Sequence, residues 1–160
     1  MAKLELIAEP GKHEIIVTRT FDAPRELVFK TYIDPTLIPQ WWGLMESETI
    51  VDQMEVRKGG IWRFVQQNAA GEQFAFNGVY HEIHPPEQIV STFEYEGLPG
   101  HVLLETVTFL DDGDGKTKMI DSSVFQSVED RDGMLMSGME EGSTVLLDRF
   151  AELLAKIRVK

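Results

Sequence analysis

The chain has 160 residues, 27 acidic against 15 basic side chains and a formal charge of −12, with no cysteine. A single domain of this size buries roughly two thirds of its unfolded surface, and 42% hydrophobic with 26% charged residues is an ordinary globular balance. The missing cysteine excludes disulfides, thiolate nucleophiles, zinc–thiolate sites and iron–sulfur clusters, while the negative field argues against nucleic acid and anionic membrane surfaces as partners.

The basic residues are scattered, and the densest pair, Lys116 with Lys118, is diluted by Asp111, Asp112 and Asp114. The first ten residues break their apolar character at Glu5 and Glu9, unlike a secretory signal, and no stretch is long enough for a membrane span. A cytoplasmic location is the resulting expectation.

In chain order, Glu14 to Phe21 predicts a strand: Ile15, Val17 and Phe21 share one face, Ile16, Thr18 and Thr20 the other. Pro24 and Glu26 then mark a helix start, and Val28, Phe29, Tyr32 and Ile33 form one buried stripe. Asp34-Pro35 repeats that signal for a second short helix carrying Leu37, Ile38, Trp41 and Trp42 until Gly43 ends it.

From about Ser47 to Gln126, alternating patterns separated by turn residues predict about six more strands in an antiparallel meander. Met139, Ser143, Leu146, Phe150, Leu153 and Ile157 then mark a long amphipathic helix from about Asp130 to Ile157. Its acidic start, Glu129, Asp130 and Asp132, and its basic end, Lys156, Arg158 and Lys160, complement the helix dipole.

No internal repeat, low-complexity tract or linker interrupts this order, so residues 1–160 are expected to form one α+β domain. In it a curved antiparallel sheet of seven strands wraps the long C-terminal helix, with two short helices after strand one. Side chains from one helix cannot fill all the space inside a bent sheet, so a cavity near the short helices is expected.

The segments Thr18-Arg-Thr-Phe-Asp-Ala-Pro-Arg-Glu-Leu-Val-Phe and Asp34-Pro-Thr-Leu-Ile-Pro-Gln-Trp-Trp-Gly resemble the Hsp90-ATPase-activator-like family of START-related, helix-grip proteins. Further echoes, among them Gly59-Gly-Ile-Trp-Arg-Phe and Gly142-Ser-Thr-Val-Leu-Leu-Asp-Arg-Phe, extend the likeness from about His13 to Ile157. The resemblance implies a cavity between sheet and long helix, and relatives that bind lipids, hormones, polyketides or other apolar molecules. It also implies that a chaperone activator of this family carries an additional N-terminal domain, for which this chain is expected to have no room. An Hsp90-type chaperone is therefore a less favoured partner, a homodimer stays open, and a role in stress response is implied by the resemblance alone.

Candidate cavity residues follow from side-chain chemistry. Trp41 and Trp42 offer large flat indoles, and on a helix one of the two should turn inward and the other outward. Trp62, Phe64, Phe74, Phe76, Tyr80, Phe93 and Tyr95 alternate along neighbouring strands and can share the concave face, either as plain core or as cavity wall. Met134, Met136 and Met139, with Gly138 and Gly142, would suit an adjustable wall at the start of the long helix. Ser143 with Arg63, Glu105 and Asp121 are the inward polar candidates, and a buried carboxylate among them would have an elevated pKa.

Metal sites are not expected. His81 and His84 lie three apart on a strand and point to opposite faces, while His13 and His101 stand alone in sequence. In the Asp111-Asp-Gly-Asp-Gly run, a calcium loop starting at Asp112 and Asp114 would meet Lys116 next and close on Ser123 instead of a glutamate, so a hairpin turn explains it better. No nucleophile elbow, phosphate loop or dinucleotide fingerprint occurs. Binding of a small apolar molecule, without a cofactor, is favoured over a cyclase or hydrolase working through Glu105 or Asp121, and over a purely interacting protein.

Overall fold

The computed structural model describes residues 3–43 and 46–159, which leaves Lys160 of the expected basic helix end outside the described residues. The strands are β1 (Glu5–Ile7), β2 (Glu14–Phe21), β3 (Ser47–Met54), β4 (Ile61–Asn68), β5 (Gln73–His84), β6 (Gln88–Tyr95), β7 (Val102–Asp111) and β8 (Thr117–Val124). They form one antiparallel sheet in the order β1-β2-β8-β7-β6-β5-β4-β3, curved and unclosed. Consecutive strands from β3 to β8 are neighbours, as short turns require. The helices are α1 (Arg25–Tyr32), α2 (Ile38–Trp41), α3 (Val128–Met136) and α4 (Met139–Val159).

This is the helix-grip arrangement expected from the sequence, with two differences. The sheet has eight strands, because the three residues of β1 pair with Ile16, Val17 and Thr18 at the edge of β2. So short a strand leaves no periodicity to read. The predicted single C-terminal helix is two helices, interrupted at Ser137 and Gly138, where Gly138 takes a φ of 87° that breaks the helical path. Ser127 caps α3 by accepting a hydrogen bond from the Asp130 amide at 3.0 Å, and Glu129 and Asp130 sit in its first turn.

Alternation on β2 is strict: Ile15, Val17, Arg19 and Phe21 are buried on the face turned toward α4. On the helix side Leu147, Phe150, Leu153 and Leu154 meet them, and Val28 and Phe29 of α1 complete the core. The aromatic packing is edge-on: Phe150 lies 5.2 Å from Phe21 and 4.7 Å from Trp41, ring centre to ring centre. Arg19, 2% exposed, is held by the Asp148 carboxylate at 2.7 Å. The Asp111 run forms the expected hairpin turn, with the Asp112 amide bonded to the Lys116 carbonyl and the Gly113 amide to Asp111 Oδ1, each at 2.9 Å.

Candidate functional site

Between the concave face of the sheet, α1, α2 and the first turns of α4 lies a cavity of about 340 Å³. The strands supply alternating side chains to its floor: Trp62 and Phe64 from β4, Phe76 and Tyr80 from β5, Ser91 and Phe93 from β6, Glu105 and Val107 from β7, Asp121 and Ser123 from β8. The wall is Tyr32, Trp41 and Trp42 on one side and Met139, Gly142, Ser143 and Leu146 on the other. At the α3–α4 junction Ser137 and Gly138 both border the cavity and are exposed, so it reaches solvent there. A methyl group added at Gly138 or Gly142 would meet nothing within 4 Å, which places empty space beside both glycines.

Of the residues singled out in the sequence, Trp41, Trp42, Phe64, Phe76, Tyr80, Phe93, Met139, Ser143, Glu105 and Asp121 converge on this cavity, together with Trp62 and Met134. Both indoles turn toward it, although helical spacing would have separated them. The reason is that α2 ends at Trp41, and Trp42 is already extended (φ −79°, ψ 137°), so the helical rotation between neighbours no longer applies. Trp42 stacks edge-on against Phe64 at 5.0 Å and Phe76 at 5.4 Å.

Four expected residues lie elsewhere, Phe74 of β5 among them, since the cavity lining on that strand starts at Phe76. Met136 is 86% exposed: in the last turn of α3 it is Met134 and Leu135 that pack against the core, and Met136 ends the helix on the solvent side. Tyr95 shares the concave parity of Phe93 but ends its strand, where its ring packs on Phe76 at 5.1 Å beyond the cavity rim. Arg63 falls between Trp62 and Phe64 and therefore points to the convex face, where it binds Glu96 at 2.8 Å and Asp52 at 3.2 Å. Those carboxylates push the Arg63 guanidinium further up, and Arg63 in turn holds Glu96 below the usual carboxylate range.

The polar strip on the floor follows from register. Glu105 stands opposite Ser91 on β6 and Ser123 on β7's other neighbour, β8, while Asp121 stands opposite Val107 and Val17. Asp121 is thus the diagonal neighbour of Glu105 on the same face. What surface Asp121 retains faces the cavity, and its Oδ1 is sealed with no N–H or O–H partner. Burial first, then the charge and hydrogen bonding of Glu105, push the Asp121 carboxyl well above the usual range, so that it holds a proton. Burial also raises the phenols of Tyr32 and Tyr80, and Glu105 adds to both. Ser91, Ser123 and the buried Gln66 were not legible as site residues, since only strand register brings them here.

The histidines stay outside this site. His13 Nδ1 contacts the Phe125 carbonyl at 3.0 Å, His101 pairs with Asp130 at 2.9 Å, and His81 and His84 are exposed. Among the described residues no three His, Asp or Glu side chains are grouped to hold a metal, and no helix is long and apolar enough to cross a membrane.

Comparison with known proteins places this geometry. The sequence profile described as "Activator of Hsp90 ATPase homolog 1-like protein" matches residues 22–155. The chain belongs to this family. Within the Hsp90-ATPase-activator-like fold it is similar to a crystal structure of a Rhodobacter sphaeroides protein, with a TM-score of 0.88 at 22% identity, covering 96% of this chain and 99% of that one. A solution structure from Arthrobacter aurescens gives 0.85 at 21% identity, covering 95% and 91%. Protein Ms6760 of Mycobacterium smegmatis gives 0.84 at 20%, covering 96% and 97%. At these identities the likeness of family members speaks for the shared fold. No curated protein matches the chain.

Proposed function

We propose that this protein binds a small, mainly apolar molecule carrying one or two polar groups in the cavity between its sheet and α4. The observation that carries this is a void of about 340 Å³ walled by indole, phenyl and thioether side chains, the lining that pockets for small apolar molecules share. Unfilled apolar space costs stability unless something occupies it. Two of the residues that line it, Trp41 and Asp121, also carry a sealed atom without a hydrogen-bond partner, the indole N–H and Oδ1. Native mass spectrometry of protein purified from its own host tests the proposal. A small molecule released only on unfolding is the expected result; repeated absence of any adduct, together with no uptake of neutral apolar dyes, removes it.

One observation favours a second role on the same site. A carboxyl whose proton is held well above the usual range by burial in an apolar pocket is what a general acid needs, and Asp121 is such a group. In a cyclase- or hydrolase-type reaction it would deliver its proton to the bound molecule, with Glu105 receiving one. Carbon-13 NMR titration of labelled aspartate checks it: one aspartate still protonated near neutral pH is expected, and ordinary titration of every aspartate rules it out.

A further inference from the structure

We infer that the molecule held in this cavity is an amine in its protonated form, an apolar body whose ammonium group docks against the paired carboxyls of Glu105 and Asp121. The inference rests on the binding role proposed above and names its ligand class.

The charge inventory of the cavity comes first. Its ionisable lining consists of two carboxyls and two phenols, with no lysine, arginine or histidine among the described residues that border it. The cations on the surrounding elements are committed elsewhere. Arg19, two residues along β2 from Val17 on the same face, binds Asp148 of α4 at 2.7 Å. Arg149 of α4 donates to the Gly43 carbonyl. Arg131 of α3 donates to the Glu9 carbonyl at 2.6 Å and to Asp132 at 2.8 Å. The groups facing Asp121 are therefore Glu105 from β7, Tyr80 from β5 and Tyr32 from α1. None of them can supply a positive charge.

Two adjacent buried carboxyls without a cation repel one another unless one stays neutral. An ammonium group beside them takes the place of the proton that keeps one neutral, attracting both carboxylates and donating hydrogen bonds to them. A ligand carboxylate would bring a further acidic group to a spot that already holds two.

The walls agree with the charge. Trp62, Phe76, Phe93 and Tyr80 present ring surfaces around the polar strip, and aromatic faces attract cations, more strongly where water is excluded. The combination of ring faces and carboxyls is the chemistry that recognises organic amines, whereas an alcohol or a sterol-like ligand would use the rings and leave the acidic pair uncompensated.

Docking also moves a proton. The Asp121 carboxyl gives up its proton to solvent as the R–NH₃⁺ group arrives, so that a carboxylate–ammonium pair forms and one H⁺ appears in the buffer for each amine bound. A neutral ligand releases none.

The test uses three fluorescent probes that share one ring system: 2-(1-naphthyl)ethylamine, 2-(1-naphthyl)ethanol and 1-naphthylacetate, titrated into the intact protein by calorimetry in two buffers of different ionisation enthalpy. The amine is expected to bind at least about tenfold more tightly than the alcohol, with the acetate weakest, and to release a proton that the alcohol does not. In Asp121→Asn and Glu105→Gln, two carboxyl-to-amide changes of equal shape, the amine-to-alcohol ratio should fall toward one. Equal affinity for amine and alcohol, or an amine preference that survives both substitutions, overturns the inference while the binding role stands. Failure of all three probes to bind overturns the binding role as well.

Discussion

The two halves of α4 face the same sheet, yet they differ: the first borders the cavity of about 340 Å³, while the second buries its apolar side chains against the sheet and is flanked by a separate cleft of about 510 Å³ beside Ala151, Leu154, Ala155 and Arg158. From Leu147 onward the helix presents Leu147, Phe150, Leu153 and Leu154, all buried, to Phe21 and the rings of α1 and α2. Before it, the same face carries Met139, Gly142, Ser143 and Leu146, which leave the cavity open. Side-chain volume along one helix therefore decides where the sheet is filled. The charges divide in the same way. At the packed end the buried Arg19 has its carboxylate, whereas at the open end Asp121 has only another acid beside it.

Substitutions at the two ends should behave oppositely. The largest effect is expected from Phe150→Ala, which removes a fully buried ring from the packed half and should cost about 3–5 kcal/mol in urea unfolding. Met139→Ala, at the first residue of α4, should cost at most about 1 kcal/mol because its side chain already borders a void. If the two costs were equal, the division of α4 would be wrong.

Removing the carboxylate in Asp148→Ala strands Arg19 and should cost about 2–3 kcal/mol, below the range for fully buried pairs because the Asp148 side chain is 41% exposed. At the open end the sign reverses. Asp121 keeps its proton in the folded state at pH values where the unfolded chain has lost it, so the native state binds more protons. The stability that this proton supports is present below the ordinary aspartate range and is lost as pH rises toward the raised native value. Asp121→Asn should therefore raise stability at pH 7 by about 1–2 kcal/mol, or several degrees in Tm, and flatten the decline between pH 4 and neutrality. Loss of stability at pH 7 would contradict the protonated state.

The smallest expected change is from Gly142→Ala, which should gain about 0.5–1 kcal/mol from helix propensity, since the added methyl meets no neighbour. The same methyl projects into the void, so any bound molecule should lose affinity as the helix gains stability. Thermal melts with and without an apolar probe separate the two effects.

How much of this was legible in the sequence follows from what each feature depends on. Local signals were sufficient for β2, α1 and the Asp111 hairpin, because strand alternation, the Pro24–Glu26 start and the Asp-Gly turn act within a few residues. The gap at Gly138 was misread because the apolar spacing on its two sides matches a single helix, and only the left-handed backbone there separates them. Arg63 was recoverable by parity, since Trp62 and Phe64 on either side already claim the concave face. Ser91 and Ser123 were beyond reach, because they join the site only through their register with Glu105. Tyr95 shows the remaining gap: alternation assigns a face but says nothing of how far along the strand a cavity extends.

The direct test is to fill the void. A neutral, fluorescent apolar dye titrated into the protein should report one saturable site, and Ser143→Trp, which swings an indole from α4 into the cavity, should abolish that site while circular dichroism still shows a cooperative unfolding transition. Dye binding that persists undiminished in a folded Ser143→Trp protein, or no saturable binding to the unaltered chain, would contradict an open, occupiable interior.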